Sequence, residues 1–183
     1  MEYIKTTSRI VNNYRNAIAT AQTEYAEWKK TSDKYTNHYK AKKNAEFERA
    51  IADARRQGIA ELNKALTLFI TEQKDIDILD TAKLTEDTKL LESNFTLPKE
   101  TLQAIFDKNS GNRTMQQLAI SRAVKDGILL ERIFYTAQDI INAARDYSYW
   151  PCRAIKEDLF YDSVWSKEEL RDLVIPDELR GIG

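Results

Sequence analysis

Apolar residues recur at Ile4, Val11, Ile18 and Tyr25, seven apart, with Thr7, Tyr14, Ala21 and Trp28 falling between them. Steps alternating between three and four residues place these positions on one stripe of a helix, which must be buried against a partner. A second run follows a polar break, through Phe47, Ile51, Ala54, Gly58, Leu62, Ala65 and Phe69. The spacing predicts one helix over 3–30, a reversal over 31–37 rich in capping and turn residues, and a second helix to about Gln73. Thr36 or Asn37 is placed to cap the second helix. The expected fold is all-α, with 1–75 an antiparallel, coiled-coil-like hairpin and 76–183 a small multi-helix domain ending in an extended tail. Its seam would be Ile4, Val11, Tyr14, Ile18, Tyr25, Trp28, Phe47, Ile51, Leu62 and Phe69. A second helix of that length spans roughly 54 Å at ~1.5 Å per residue. A compact domain needs far less, so an exposed arm for contacts between molecules is expected.

Gly58 interrupts the second helix, where glycine costs about 1 kcal/mol relative to alanine. It would face Val11 and Tyr14 across the hairpin. One reading gives it the task of making room for a tyrosine ring; the other makes it a hinge.

Beyond residue 75 the pattern shortens. A short helix is expected within 85–93, and Pro98 opens another through Leu102, Ile105 and Phe106 toward Gly111. Asn112 caps the next, with Met115, Leu118, Ala119 and Val124 on its buried side and Gly127 as its stop. This helix–turn–helix-like pair raises DNA reading through Arg113, Gln116, Gln117, Arg122 and Lys125. Little basic support surrounds it, and packing is the preferred role. Thr136-Ala137-Gln138-Asp139 reads as a capping box opening a helix toward Trp150, with Pro151 as its stop. Ser166-Lys167-Glu168-Glu169, with Trp165 and Leu170 as a hydrophobic staple, predicts a last short helix to about Val174.

Composition narrows the class. Of 183 residues, 42% are hydrophobic and 31% charged, which suits a folded helical chain rather than a disordered one. Five glycines and three prolines are too few for a many-stranded sandwich or a glycine-rich phosphate loop. No stretch approaches the ~20 apolar residues of a membrane span, and the start lacks a secretory-signal pattern. One cysteine points to a reducing compartment. The net charge of −1 conceals 14 Lys and Arg against 10 Asp and Glu in 1–75, and 14 against 19 in 76–183. The resulting dipole is too mild to mark a nucleic-acid binder.

Candidate chemistry is sparse. His38, the single histidine, lies in the polar reversal, remote in sequence from Cys152, so a nucleophile–histidine pair has no support. Zinc ligation fails on the number of His and Cys. Asp75, Asp77 and Asp80 lack the glycine and distal glutamate of a calcium loop. No catalytic, cofactor-binding or metal residue is assigned, and no enzyme is expected. Two clusters suit docking instead. One is the basic, aromatic hairpin tip with Tyr35, Tyr39, Lys42 and Lys43, where lysines around tyrosine rings also suit phosphates and stacked bases. The other is the aromatic tract Tyr147, Tyr149, Trp150, Phe160, Tyr161 and Trp165, with Leu170 close behind.

The stretch Phe95-Thr96-Leu97-Pro98-Lys99-Glu100-Thr101-Leu102, followed by Asp107-Lys108-Asn109-Ser110-Gly111-Asn112-Arg113-Thr114-Met115, resembles small helical proteins of phages and prophages of Gram-positive bacteria. The opening Tyr3-Ile4-Lys5-Thr6-Thr7-Ser8-Arg9-Ile10-Val11 is similar to the same group, and the likeness covers residues 1–127. Such proteins are encoded among virion structural genes. The resemblance implies a non-enzymatic part in particle assembly, as scaffold, connector or head-associated component. It also implies self-association or phage structural partners, in the cytoplasm of the bacterial host or in the virion. The alternatives are a phage-encoded inhibitor of a host defence complex such as a CRISPR effector, and a nucleic-acid-binding helical protein. Salt-sensitive affinity would mark the last.

Overall fold

The computed structural model describes residues 2–131, 134–157 and 179, and every regular element among them is helical. The expected short helix around Ser166, and Phe160, Tyr161, Trp165 and Leu170, lie outside the described residues. The α-helices are α1 (Glu2–Lys30), α2 (Asn37–Gln73), α3 (Thr88–Leu91), α4 (Lys99–Lys108), α5 (Arg113–Lys125) and α6 (Ala137–Glu157), with single 3-10 turns at Ser32–Lys34 and Thr81–Lys83. Two compact units result: Met1–Ile70 with the chain from Ile141, and Thr71–Ile140. This differs from the expected division at residue 75, because most of α6 packs with the N-terminal helix pair.

In the first unit, α1 and α2 form a long pair of about 43 and 55 Å at ~1.5 Å per residue. Tyr3 stacks on Phe69 with ring centroids 4.7 Å apart, and Tyr25 stacks on Phe47 at 4.3 Å. Tyr14 lies beside Gly58 between them. Thr36 caps α2, its Oγ1 accepting from the Tyr39 amide at 3.3 Å. Of the expected seam, Val11, Tyr14, Ile18, Leu62 and Phe69 are buried, while Ile4, Tyr25, Trp28, Phe47 and Ile51 are half-buried. Tyr3, Thr7 and Ile10 are buried as well. This widens the α1 face, since α6 supplies a second partner there. Tyr147 meets Tyr3 edge-on at 6.2 Å, and Ile155 packs among Ile10, Tyr14, Ile18 and Leu62.

Pro151, expected to end α6 at Trp150, sits inside it, and the helix continues to Glu157. A proline there forfeits one backbone bond. Burial of Pro151, Ala154 and Ile155 offsets that loss. Gly58 serves close approach rather than a hinge: a Cβ on it would meet Ile155 Cδ1 at 3.0 Å and Tyr14 at 3.7 Å. The space it leaves is taken first by the isoleucine methyl, with the tyrosine at ordinary contact.

In the second unit, α3, α4 and α5 enclose Leu91, Leu97, Leu102, Ile105, Phe106, Met115, Ala119 and Ala123. Asn112 caps α5, accepting from the Met115 amide at 3.2 Å. Gly127, at φ 72°, ends it, with Ile128 N donating to Ala123 O at 2.8 Å and Gly127 N to Val124 O at 3.1 Å. The capping box at Thr136 and Asp139 forms in both directions. Val124, placed on the buried side by the sequence pattern, is 73% exposed, and Arg122 takes the inward position.

The second unit should be the more sensitive to acid, with Glu46 the lowered carboxyl of the helix pair, and the first unit the more sensitive to alkali. Hydrogen bonds from Lys108, Arg122 and Thr136 hold the carboxyls of Asp87, Asp126 and Asp139 below their ordinary 3.8. Their stabilisation is complete above that value and is lost as pH falls through the lowered folded values. Burial pushes the Tyr3 hydroxyl up to about 12 and raises Tyr147 and Cys152. That stabilisation is present below the ordinary values of these groups and is lost as pH rises through the folded ones. Hydrogen exchange should show protection lost first in Thr71–Ile140 on acidification, and first in the helix pair on alkalinisation. Simultaneous loss in both units at either extreme would contradict this.

Candidate interaction surface at the connection of the helix pair

Toward the connection, the seam between α1 and α2 is half-buried at Tyr25, Trp28 and Phe47. Here Tyr25 stacks flat on Phe47 with 15° between the rings, and its hydroxyl donates to Asn44 Oδ1 across the pair at 2.7 Å. Trp28 lies against Tyr25 with centroids 5.4 Å apart. The indole N–H of Trp28 is buried with no acceptor among the described residues.

These rings, with Ala21 and Ala50, floor a groove of about 200 Å³ whose rim carries Glu24, Lys43 and Glu46. Lys43 and Glu46 pair at 2.7 Å. The lysine bond, aided by Lys42 and Arg49, holds the Glu46 carboxyl below its ordinary range and raises Lys43. A smaller groove of about 120 Å³ lies between Ile10, Tyr14 and Ala17 on α1 and Ala54, Gly58 and Glu61 on α2. Each lining position of one groove sits eleven residues from a lining position of the other, on both helices. Eleven residues make three turns of a nearly straight helix, so the two grooves share one side of the pair, roughly 16 Å apart.

At the connection itself, Tyr35 and Tyr39 are exposed and lie 4.8 Å apart, tilted by 30°. Lys42 is exposed, whereas Lys43 belongs to the groove rim. Among the neighbouring lysines, Lys30 pairs with Glu27 at 2.5 Å and Lys40 approaches Asp33 at 3.7 Å. Lys29 lies over the Tyr25 ring at 5.6 Å. Part of the basic charge is thus countered within the chain. Tyr149 and Trp150 are exposed on α6 and meet edge-on at 5.4 Å.

Two of the residues raised for DNA reading on α5, Arg113 and Arg122, are used internally. Arg113 donates to Asp77 Oδ1 at 2.7 Å, donates to the Tyr135 carbonyl, and lies over the Phe134 ring at 4.5 Å. Arg122 is buried. Asp77 also accepts from the Ala137 amide at 2.6 Å, and Asp80 caps the 3-10 turn at Thr81–Lys83 through the Ala82 amide. Among the described residues no group of three His, Cys, Asp or Glu is placed to hold a metal ion, and no helix is long and apolar enough to cross a membrane. The groove was not visible in the sequence, since the eleven-residue offset relates positions rather than residue types, with Tyr14 and Tyr25 the one pair of identical residues. No protein-family model, curated protein or solved structure matches this chain.

Proposed function

We propose that the protein is a non-enzymatic interaction component of phage particle assembly, a scaffold, connector or head-associated protein. In this reading α1 and α2 form an antiparallel, coiled-coil-like hairpin whose tip is the connection between them. The observation that carries it is the tip end of the pair, which bears an aromatic groove and an exposed tyrosine pair. An aromatic floor bounded by charged side chains is the common anatomy of a protein contact. The resemblance of 1–127 to virion-gene proteins supplies the setting.

Nucleic-acid binding is less favoured, since Arg113 and Arg122 bond within the chain and two tip lysines face carboxylates. The test is capture of the full chain from induced or infected cells, with identification of what accompanies it. Virion proteins are expected. A host nuclease complex instead, or an oligonucleotide whose affinity falls steeply with salt, would overturn the reading.

A further inference from the structure

The tip and the groove on its flank are complementary. The groove has an aromatic floor and two glutamates on its rim, of which Glu46 is paired with Lys43 and Glu24 makes no salt bridge among the described residues. The tip offers what such a groove accepts: two exposed tyrosine rings with Lys34 and Lys42 beside them. Within one chain the tip's rings do not reach the stack, because Tyr39 lies eight residues from Phe47 and Tyr35 ten from Tyr25, about 12–15 Å along the pair.

Resting on the interaction reading above, we infer that the tip of a second copy of this chain occupies the groove. Two pairs laid side by side in opposite directions, overlapping by that same 12–15 Å, place each tip over the other's groove. The arrangement is isologous and closes as a twofold dimer. Tyr35 and Tyr39 of each copy cover the Tyr25–Phe47 stack of the other. Lys34 and Lys42 meet Glu24 and Glu46. Other copies of the chain suit the groove better than a nucleic acid, which its glutamates repel.

The test uses the full chain in two charge-reversed forms: Lys34→Glu with Lys42→Glu, and Glu24→Lys with Glu46→Lys. Each alone sets like charges face to face and should weaken self-association at least about tenfold in sedimentation, while an equimolar mixture should recover it. In a Cys152→Ser background, Tyr39→Cys mixed with Ala21→Cys should form a disulfide between copies under mild oxidation. The cross-link keeps the test valid if a charge-reversed form fails to fold. Association that neither form alters, with no cross-link, would overturn the tip-to-groove contact while leaving self-association through another surface. A wild-type chain monomeric up to about 100 µM would overturn self-association altogether.

Discussion

Replacing Arg122 with methionine should cost the Thr71–Ile140 unit about 3–5 kcal/mol of unfolding free energy, the usual price of breaking a buried ion pair from one side. The Arg122 side chain is 6% exposed and satisfies four acceptors at once. Its Nε donates to Asp126 at 2.6 Å, its Nη1 to the carbonyls of Leu91 and Ser93 at 2.7 and 2.6 Å, and its Nη2 to the carbonyl of Phe95. Those carbonyls belong to the last residue of α3 and to the segment between α3 and α4, which has no regular structure of its own. One guanidinium therefore holds a loop in place, and Asp126 completes the arrangement by accepting from the Leu97 amide.

Methionine preserves length and apolar stem but leaves three carbonyls and a carboxylate without their donor, and an unmade buried bond costs more than a made one contributes. Lysine should recover only part of the loss, since one ammonium cannot span the four positions a planar fork reaches. Chemical denaturation measures the cost, and limited proteolysis should cut first between Leu91 and Leu97. A loss below about 1 kcal/mol would mean that the loop is held by its leucines alone.

The same arginine shows where sequence reading stops. The helix it occupies, its Asn112 cap and its Gly127 stop were legible, because capping chemistry acts within a few residues. Which face turned inward was not. Val124 is apolar and Arg122 charged, so a hydropathy pattern assigns them in the wrong order. The corrective signal was geometric: Met115, Ala119 and Arg122 follow four- and three-residue steps, and Ala123 adjoins them, which puts the arginine on the buried stripe.

The helix pair was legible for a related reason, long periodicity with few interruptions. Its stripe at Ile4, Val11 and Ile18 was only half of the apolar surface, however. Tyr3 and Ile10, each beside a residue of that stripe, are buried too, the mark of a helix with two neighbours rather than one. The second neighbour, α6, is distant in sequence and carries Pro151 within it, where local rules expect a stop, so no local rule announces it. The groove was hidden because the apolar pattern places Ala21, Tyr25, Trp28 and Phe47 in a seam sealed against the partner helix, whereas they are only half-buried and line open space.

That second neighbour can be tested where it reaches deepest. Ile155→Ala should destabilise the helix-pair unit by about 2–5 kcal/mol, the range for truncating a fully buried aliphatic residue. Ile155 has no exposed surface and packs among Ile10, Tyr14, Ile18 and Leu62. Gly58 makes the argument specific. In the wild-type chain, Gly58→Ala gains about 1 kcal/mol of helix propensity but must push the Ile155 methyl aside, so the two effects should nearly cancel. Once Ile155 is alanine, that obstruction is gone and the new methyl fills part of the cavity. The same Gly58→Ala change should then stabilise by 1 kcal/mol or more, a coupling of the size found between touching residues. Strict additivity in the double-mutant cycle would mean that Ile155 and Gly58 do not touch in solution. The assignment of α6 to the helix pair would then lose its closest contact.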